Sequence, residues 1–199
     1  MPNVETYSKI KKKQRASHIL CIGETGRERT MKENVVLIGM PASGKSTIGV
    51  ILSKVMGYDF VDTDLLIQKR ERRLLWEIIA QNGIDAFLSI EGEVCGGLCA
   101  EHSVIATGGS VIYRENGMRR LKEIGTIVYL QTEYEELCRR LGNIHDRGVV
   151  LKPGQTFRDL YEERIPLYET WADLTVEEAG KTQEEIMQEI CRRINGHAI

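Results

Sequence analysis

At 199 residues, 42% hydrophobic and 28% charged, the chain is long enough to close one domain around a sizeable core. Its formal net charge of −2 excludes a surface built to neutralise nucleic-acid phosphates or anionic lipid, so basic groups must act locally. Five cysteines at irregular spacing (Cys21, Cys95, Cys99, Cys138, Cys191) argue against a disulfide framework and for a reducing compartment, the cytoplasm by default.

Residues 1–33 hold the cluster Lys11-Lys12-Lys13-Gln14-Arg15 but no apolar run that suits a signal peptide or a membrane span, and no sustained periodicity. They read as a flexible N-terminal extension, or as an over-extended start ahead of Met31, and residues 34–199 as a single domain. That domain opens with Asn34-Val35-Val36-Leu37-Ile38, an apolar, β-branched run suited to a strand buried on both faces of a parallel sheet. Gly39-Met40-Pro41-Ala42-Ser43-Gly44-Lys45-Ser46 follows at once, in the pattern G-x-x-x-x-G-K-S, and leads into a helical run to Met56. Strand, loop and helix in this order are the setting in which that pattern cradles phosphates. Glycines 39 and 44 allow backbone N–H groups to converge, and the helix contributes its positive end. Lys45 then reaches the β- and γ-phosphates and the Ser46 hydroxyl ligates Mg²⁺. Gly39, Ala42, Ser43, Gly44, Lys45, Ser46 and Thr47 are the candidate ATP contacts.

The next strand is expected at Tyr58–Asp62, with helical pieces over Leu65–Gln81. Asp62 and Asp64, two apart in an extended segment, should point the same way at the carboxyl edge of the sheet. Asp64 suits an acceptor hydroxyl and Asp62 a Mg²⁺-bound water, while capping of a helix by either is the plainer alternative. Cys95, Cys99 and His102 (C-x3-C-x2-H) lie in a helix-like run and read as buried small side chains, not as a metal site. Strands follow at Ser103–Thr107, Thr126–Leu130 and near Leu174–Val176, with helices at 117–123, from Thr132, through Tyr168, and from Thr182 with Glu185. Ile186, Ile190 and Ile194 make one stripe on the last. The alternation predicts an α/β fold with a parallel sheet covered by helices on both faces. Thr107-Gly108-Gly109 should expose bare backbone at the same sheet edge.

No N-K-x-D guanine reader and no acidic strand end of the motor type is present, so a small-molecule kinase fits better than a GTPase or a motor. Taken together, the loop Gly39–Ser46, the step Asp62-Thr63-Asp64, Phe87 and Glu91, Ala106-Thr107-Gly108-Gly109 and Glu163-Arg164-x-Pro166-x-Tyr168 resemble the shikimate kinase family over about residues 34 to 195. The resemblance implies a P-loop, nucleoside-monophosphate-kinase-like three-layer fold with a five-stranded parallel sheet and a mobile lid, here about residues 143–155. It further implies ATP- and Mg²⁺-dependent transfer to shikimate by a monomeric cytoplasmic enzyme of aromatic amino acid biosynthesis, with no nucleic acid or membrane partner. On that resemblance Lys45, Asp64 and Arg147 are catalytic. Asp64, Gly108, Gly109 and Arg164 bind the acceptor, Arg164 through its carboxylate. Ser46 and Asp62 serve the metal, and Arg147 closes over the phosphates from the lid.

One departure stands out. Where the family has Phe-Arg-x-x-Glu, this chain reads Phe87-Leu88-Ser89-Ile90-Glu91, so a carboxylate-binding arginine is replaced by Leu88. Either another cation (Arg70, Arg72, Arg73 or Arg114) takes its place, or the acceptor is a different small hydroxylated metabolite with one anionic anchor fewer. A catalytically silent nucleotide-binding regulatory module is the contrasting reading.

Overall fold

The computed structural model describes residues 33–141, 149, 151, 152 and 154–195; the expected extension before residue 33 and Arg147 lie outside these. Among the described residues five strands, β1 (Asn34–Ile38), β2 (Asp59–Asp62), β3 (Ser103–Ala106), β4 (Gly125–Gln131) and β5 (Leu174–Glu177), form one sheet in the order β2-β3-β1-β4-β5. Every neighbouring pair is parallel, with Val36 facing Ile105 on one side and Ile127 on the other. The predicted five-stranded parallel sheet is therefore present.

The continuous apolar run of β1 explains its central place. Val35 and Leu37 point into a layer with Ile48, Leu52, Ile186 and Ile190, whereas Val36 and Ile38 point into the opposite layer with Met118, Leu121, Leu137 and Leu160. A strand with both faces covered has no polar positions to alternate. The covering helices are α1 (Lys45–Met56), α5 (Glu115–Ile124), α6 (Tyr134–Leu141), α7 (Phe157–Trp171) and α8 (Gln183–Asn195). Thr182 caps α8 reciprocally with Glu185, as the sequence led us to expect, and Thr156, which the sequence reading did not single out, does the same for α7 with Asp159. The helix expected to open at Thr132 begins instead at Tyr134, and Thr132 is buried beyond the end of β4.

Three short helices, α2 (Thr63–Glu71), α3 (Leu75–Asn82) and α4 (Ile84–Gly96), form a side layer next to the carboxyl end of β2. Ile67, Ile78, Phe87, Leu88 and Val94 make its separate apolar cluster. Cys95 is buried and free, as are the thiols of Cys138 and Cys191 in the sense of being unbridged, whereas Cys99 is disulfide-bonded, one crosslink where the spacing led us to expect none.

Candidate active site

The carboxyl ends of β1, β2 and β3 all arrive at one edge of the sheet, which is where crevices form in open parallel sheets. Leaving β1, the chain turns sharply at Gly39, whose φ is +148°. A Cβ there would lie 2.7 Å from the Leu130 carbonyl oxygen, so no larger side chain fits. Ala42 also has a positive φ, of 66°, an unusual conformation for a residue with a Cβ. Lys45, at the start of α1, is buried and folds back to donate to the carbonyls of Gly39 (2.9 Å) and Met40 (2.8 Å). Burial pulls its ammonium down to about 8, against the opposing charge of Asp64. The loop is thus a cradle with a cation inside it, which fits a polyphosphate.

β2 delivers the acidic pair. Asp62 Oδ1 accepts from the backbone N–H groups of Asp64 and Leu65, capping α2, while its Oδ2 accepts from the Ser46 hydroxyl at 3.0 Å. Capping and the metal role are therefore compatible, because each uses a different oxygen. A hydroxyl and a carboxylate in contact suit Mg²⁺, which keeps several waters and takes few protein ligands. The expectation that Asp62 and Asp64 share one extended segment is corrected. The strand ends at Asp62, and Asp64 lies in the first turn of α2. That turn swings Asp64 inward, so that the residue is half-buried with Oδ1 inaccessible and, among the described residues, without a hydrogen-bond partner. Burial, helped by the charge of Asp62, raises its carboxyl to about 6.

β3 ends at Ala106. Thr107 then donates its hydroxyl to the Leu37 carbonyl at 3.0 Å and ties this end of the sheet to β1. Gly108 donates its N–H to the Thr63 hydroxyl, and a Cβ on it would overlap Glu91 Oε1 and lie 2.8 Å from Asp64 Oδ1. Bare backbone is thus required at this point. Arg164, from α7, is 1% exposed; its Nε donates to the Tyr113 hydroxyl at 3.2 Å and its Nη2 has no partner among the described residues. Tyr113 in turn donates to Glu163 at 2.8 Å, and Glu163 also accepts from Lys152 and Gln155.

These groups line one cavity of about 410 Å³, bounded by Pro41, Ala42, Gly44, Lys45, Ser46 and Thr47 at one end and by Asp64, Phe87, Glu91, Gly108, Gly109 and Arg164 at the other. The predicted loop and acceptor residues thus meet in space, while Gly39, Ser43 and Asp62 do not line the cavity but bond to Lys45 and Ser46, which do. None of Arg70, Arg72, Arg73 or Arg114 lines it. Arg70 pairs with Glu93, Arg73 with Glu71, Gln81 and Asn82, Arg114 donates to the Asp85 carbonyl, and Arg72 is exposed. The idea that one of these cations replaces the arginine missing at position 88 is therefore corrected, and Leu88 itself is buried among apolar neighbours. Sequence reasoning missed Tyr113 and the buried state of Glu91, neither of which carries a local pattern.

Beside the loop lies a second cavity of about 310 Å³ lined by Thr132, Glu136, Arg139, Arg140, Glu178 and Lys181. Arg140 there pairs with Glu136 and with the buried Glu178.

Comparison with known proteins agrees with this geometry. The family model described as shikimate kinase matches residues 41–195. A shikimate kinase of Thermodesulfovibrio yellowstonii is 35% identical over 163 residues, 80% of this chain and 94% of that protein. One of Clostridium botulinum (strain Okra / Type B1) is 44% identical over 142 residues, 69% of this chain and 83% of that protein. Among solved structures, the shikimate kinase of Acinetobacter baumannii in complex with shikimate superposes with a TM-score of 0.75 at 29% identity, covering 83% of this chain and 94% of that one. That of Aquifex aeolicus does so with a TM-score of 0.65 at 30% identity, covering 83% and 98%. With a phosphate cradle, an acidic pair and a buried arginine meeting on one cavity, and with matches of this extent, the chain belongs to the shikimate kinase family and is a P-loop kinase.

Proposed function

We propose that the chain transfers the γ-phosphoryl group of ATP to a hydroxyl of shikimate, giving shikimate 3-phosphate. The observation that carries the reading is the meeting of Lys45, Asp64 and Arg164 on a single cavity. They supply a cation for the transferred group, a base for the attacking hydroxyl and a cation for a carboxylate. Arg164 is suited to that last task because its Nη2 is buried, unpartnered and at a cavity wall. A planar guanidinium in this state gains from a carboxylate in two parallel hydrogen bonds.

In this reading the backbone of Gly39–Gly44 binds the phosphates, and Lys45 exchanges its bonds to the Gly39 and Met40 carbonyls for phosphate oxygens. Mg²⁺, held by Ser46 and through water by Asp62, would offset charge between the β- and γ-phosphates. Asp64 orients the acceptor hydroxyl and takes its proton at Oδ1; a carboxyl raised to about 6 is mostly ionised at neutral pH and a better base than an ordinary aspartate. Gly108 and Gly109 let the acceptor approach the backbone. The second cavity, with Arg139 and Arg140, would take the remainder of the nucleotide. Arg147, in the lid of about residues 143–155, is assigned the closing cation. The reading also places the enzyme in the cytoplasm as a monomer.

A silent regulatory module would have no use for Asp64 Oδ1 and Arg164 Nη2 left without partners among the described residues at the far end of the cavity. The test is coupled ADP release with ATP and Mg²⁺, comparing shikimate with other hydroxy acids, sugars and nucleosides. Saturable turnover with shikimate supports the proposal. Turnover only with another acceptor, or ATP binding without turnover, overturns it.

A further inference from the structure

Glu91 is fully buried one turn after Leu88 on α4 and borders the same cavity as Asp64 and Arg164. It receives one hydrogen bond, from the Ser110 hydroxyl to Oε2 at 2.7 Å, and its Oε1 has no partner among the described residues. Isolating an ionised carboxylate from water costs many times what one neutral hydroxyl returns.

Among the described residues no compensating cation is bonded to Glu91. Position 88, which sits on the same side of α4 one turn earlier, holds a leucine packed against Ile67 and Ile78. Facing Glu91 from α2 is Asp64, whose negative charge opposes ionisation. Lys45 and Arg164 face it from α1 and α7 and favour ionisation, yet Lys45 is bonded to the Gly39 and Met40 carbonyls and Arg164 to the Tyr113 hydroxyl. Cys95 on its own helix and Tyr168 on α7 also face it, both as neutral groups. The stem of Arg114 packs on Gly92, but its head turns away to the Asp85 carbonyl.

We propose that Glu91 stands in the acceptor pocket as a neutral carboxylic acid, and that its Oε1–H donates a hydrogen bond to a second oxygen of the bound acceptor, beside the hydroxyl held by Asp64. The two ends of the carboxyl fit this state. Oε2 accepts from Ser110 as a carbonyl oxygen does, which leaves the proton on Oε1, the oxygen that crowds the bare Cα of Gly108 together with Asp64 Oδ1. In line with the geometry, burial first and then the Asp64 charge push the Glu91 carboxyl up to about 8, against Ser110, Arg164 and Lys45. Glu91 is then a specificity-determining residue. The pocket recognises a carboxylate with one arginine, a reacting hydroxyl with an ionised aspartate and a neighbouring oxygen with a neutral acid. An acceptor without that oxygen leaves a buried donor unpaired and is rejected.

This inference rests on the cavity being the acceptor site, and its first test is independent of which acceptor is turned over. Infrared difference spectra of the unliganded protein against Glu91→Gln at pH 7 should show a protonated-carboxyl C=O stretch that belongs to the wild type alone. That band should give way to carboxylate bands as pH rises through about 8. No such band in the difference spectrum overturns the proposal, whatever the outcome with shikimate. The second test is the acceptor KM. Glu91→Ala should raise it about tenfold at pH 7, the loss of one buried hydrogen bond, with kcat changed less. Glu91→Gln, which keeps a donor, should recover most of that loss and lack the rise in KM that the wild type shows between pH 7 and 9. An alkaline rise that survives in Glu91→Gln belongs to Lys45 and overturns the assignment.

Discussion

Replacing Arg164 with methionine separates the acceptor carboxylate from every other contact in the site. Methionine matches the length of the arginine stem and fills irregular space, so the change removes charge and donors with little loss of packing. Within the protein the substitution costs the hydrogen bond from Nε to the Tyr113 hydroxyl and the interaction with the Tyr168 hydroxyl, while Tyr113 keeps its bond to Glu163 and Tyr168 its bond to the Gly109 carbonyl. Because Nη2 has no partner and the residue is 1% exposed, exchanging this buried ion for an apolar group should leave the melting temperature unchanged or raise it. The cost falls on binding. A hydrogen bond to a charged group contributes about 1.5–3 kcal/mol, and each 1.4 kcal/mol is about tenfold, so the acceptor KM should rise roughly 10- to 150-fold. Lys45 and Ser46 are hydrogen-bonded to other groups, and Lys45 feels Arg164 only through its charge, so the KM for ATP should change less than about threefold by the same scale. The assay is coupled ADP release with the acceptor varied at saturating ATP, repeated with an acceptor whose carboxylate is converted to an amide. That analogue should bind poorly to the wild type and suffer little further loss in Arg164→Met. A folded Arg164→Met protein with an unchanged acceptor KM would refute the carboxylate assignment.

Asp64→Asn keeps the shape and removes the base; kcat should fall by about 10²- to 10⁴-fold while ATP affinity, read by titration calorimetry, is preserved. Unchanged turnover would sink the assignment. Gly39→Ala forces a Cβ to 2.7 Å from a β4 carbonyl at φ +148°, strain on the order of 1–3 kcal/mol that should lower both the melting temperature and ATP affinity. Equal values for both proteins would contradict the cradle geometry. Glu91 also gives a stability signature. Its carboxyl rises from 4.5 in the unfolded chain to about 8 in the fold, so between those values the folded state binds more protons and stability declines as pH rises. The slope from this group is at most about 1.4 kcal/mol per pH unit, and denaturation of Glu91→Gln between pH 5 and 8 should show it removed. Parallel curves for the two proteins would contradict a buried neutral Glu91.

The sheet was legible because its strands obey a local rule. Asn34–Ile38 coincides with β1 to the residue, and β3, β4 and β5 shift by one residue at most. A strand covered on both faces writes itself as an uninterrupted apolar run, and the fixed spacing in the phosphate loop does the same for backbone geometry. The acceptor end is different in kind. The bonds that build it join residues far apart in sequence, such as Tyr113 to Glu163 and Ser110 to Glu91, and no local period encodes them. Asp64 was singled out on a geometry that the structure corrects, since a helix turn rather than a strand aims it into the cavity. The arginines proposed to compensate for Leu88 failed for a similar reason. Their number and nearness in sequence are visible, but the acids and carbonyls that hold them elsewhere appear only in three dimensions.

The two ends of the cavity differ in how their polar groups are satisfied, and this bears on what each end costs to fill. At the end formed by the loop, Lys45 is held by two carbonyls and Ser46 by Asp62, so on the proposed reading phosphate and metal would have to displace existing bonds. Those internal partners keep a cation and a hydroxyl positioned between turnovers, which conserves geometry at some expense in affinity. At the other end, the proposed acceptor site, Asp64 Oδ1, Glu91 Oε1 and Arg164 Nη2 are all buried and unpartnered among the described residues. Orphaned buried groups are rare because each costs about 1–3 kcal/mol, and three on one cavity store strain that a ligand with matching oxygens relieves. An acceptor that pairs all three recovers that cost in addition to its own contacts, while one that pairs two leaves the third buried and unpaid. On the proposed reading, discrimination in this pocket would depend less on the arginine lost at position 88 than on whether an acceptor can present a carboxylate and two adjacent oxygens to these three atoms.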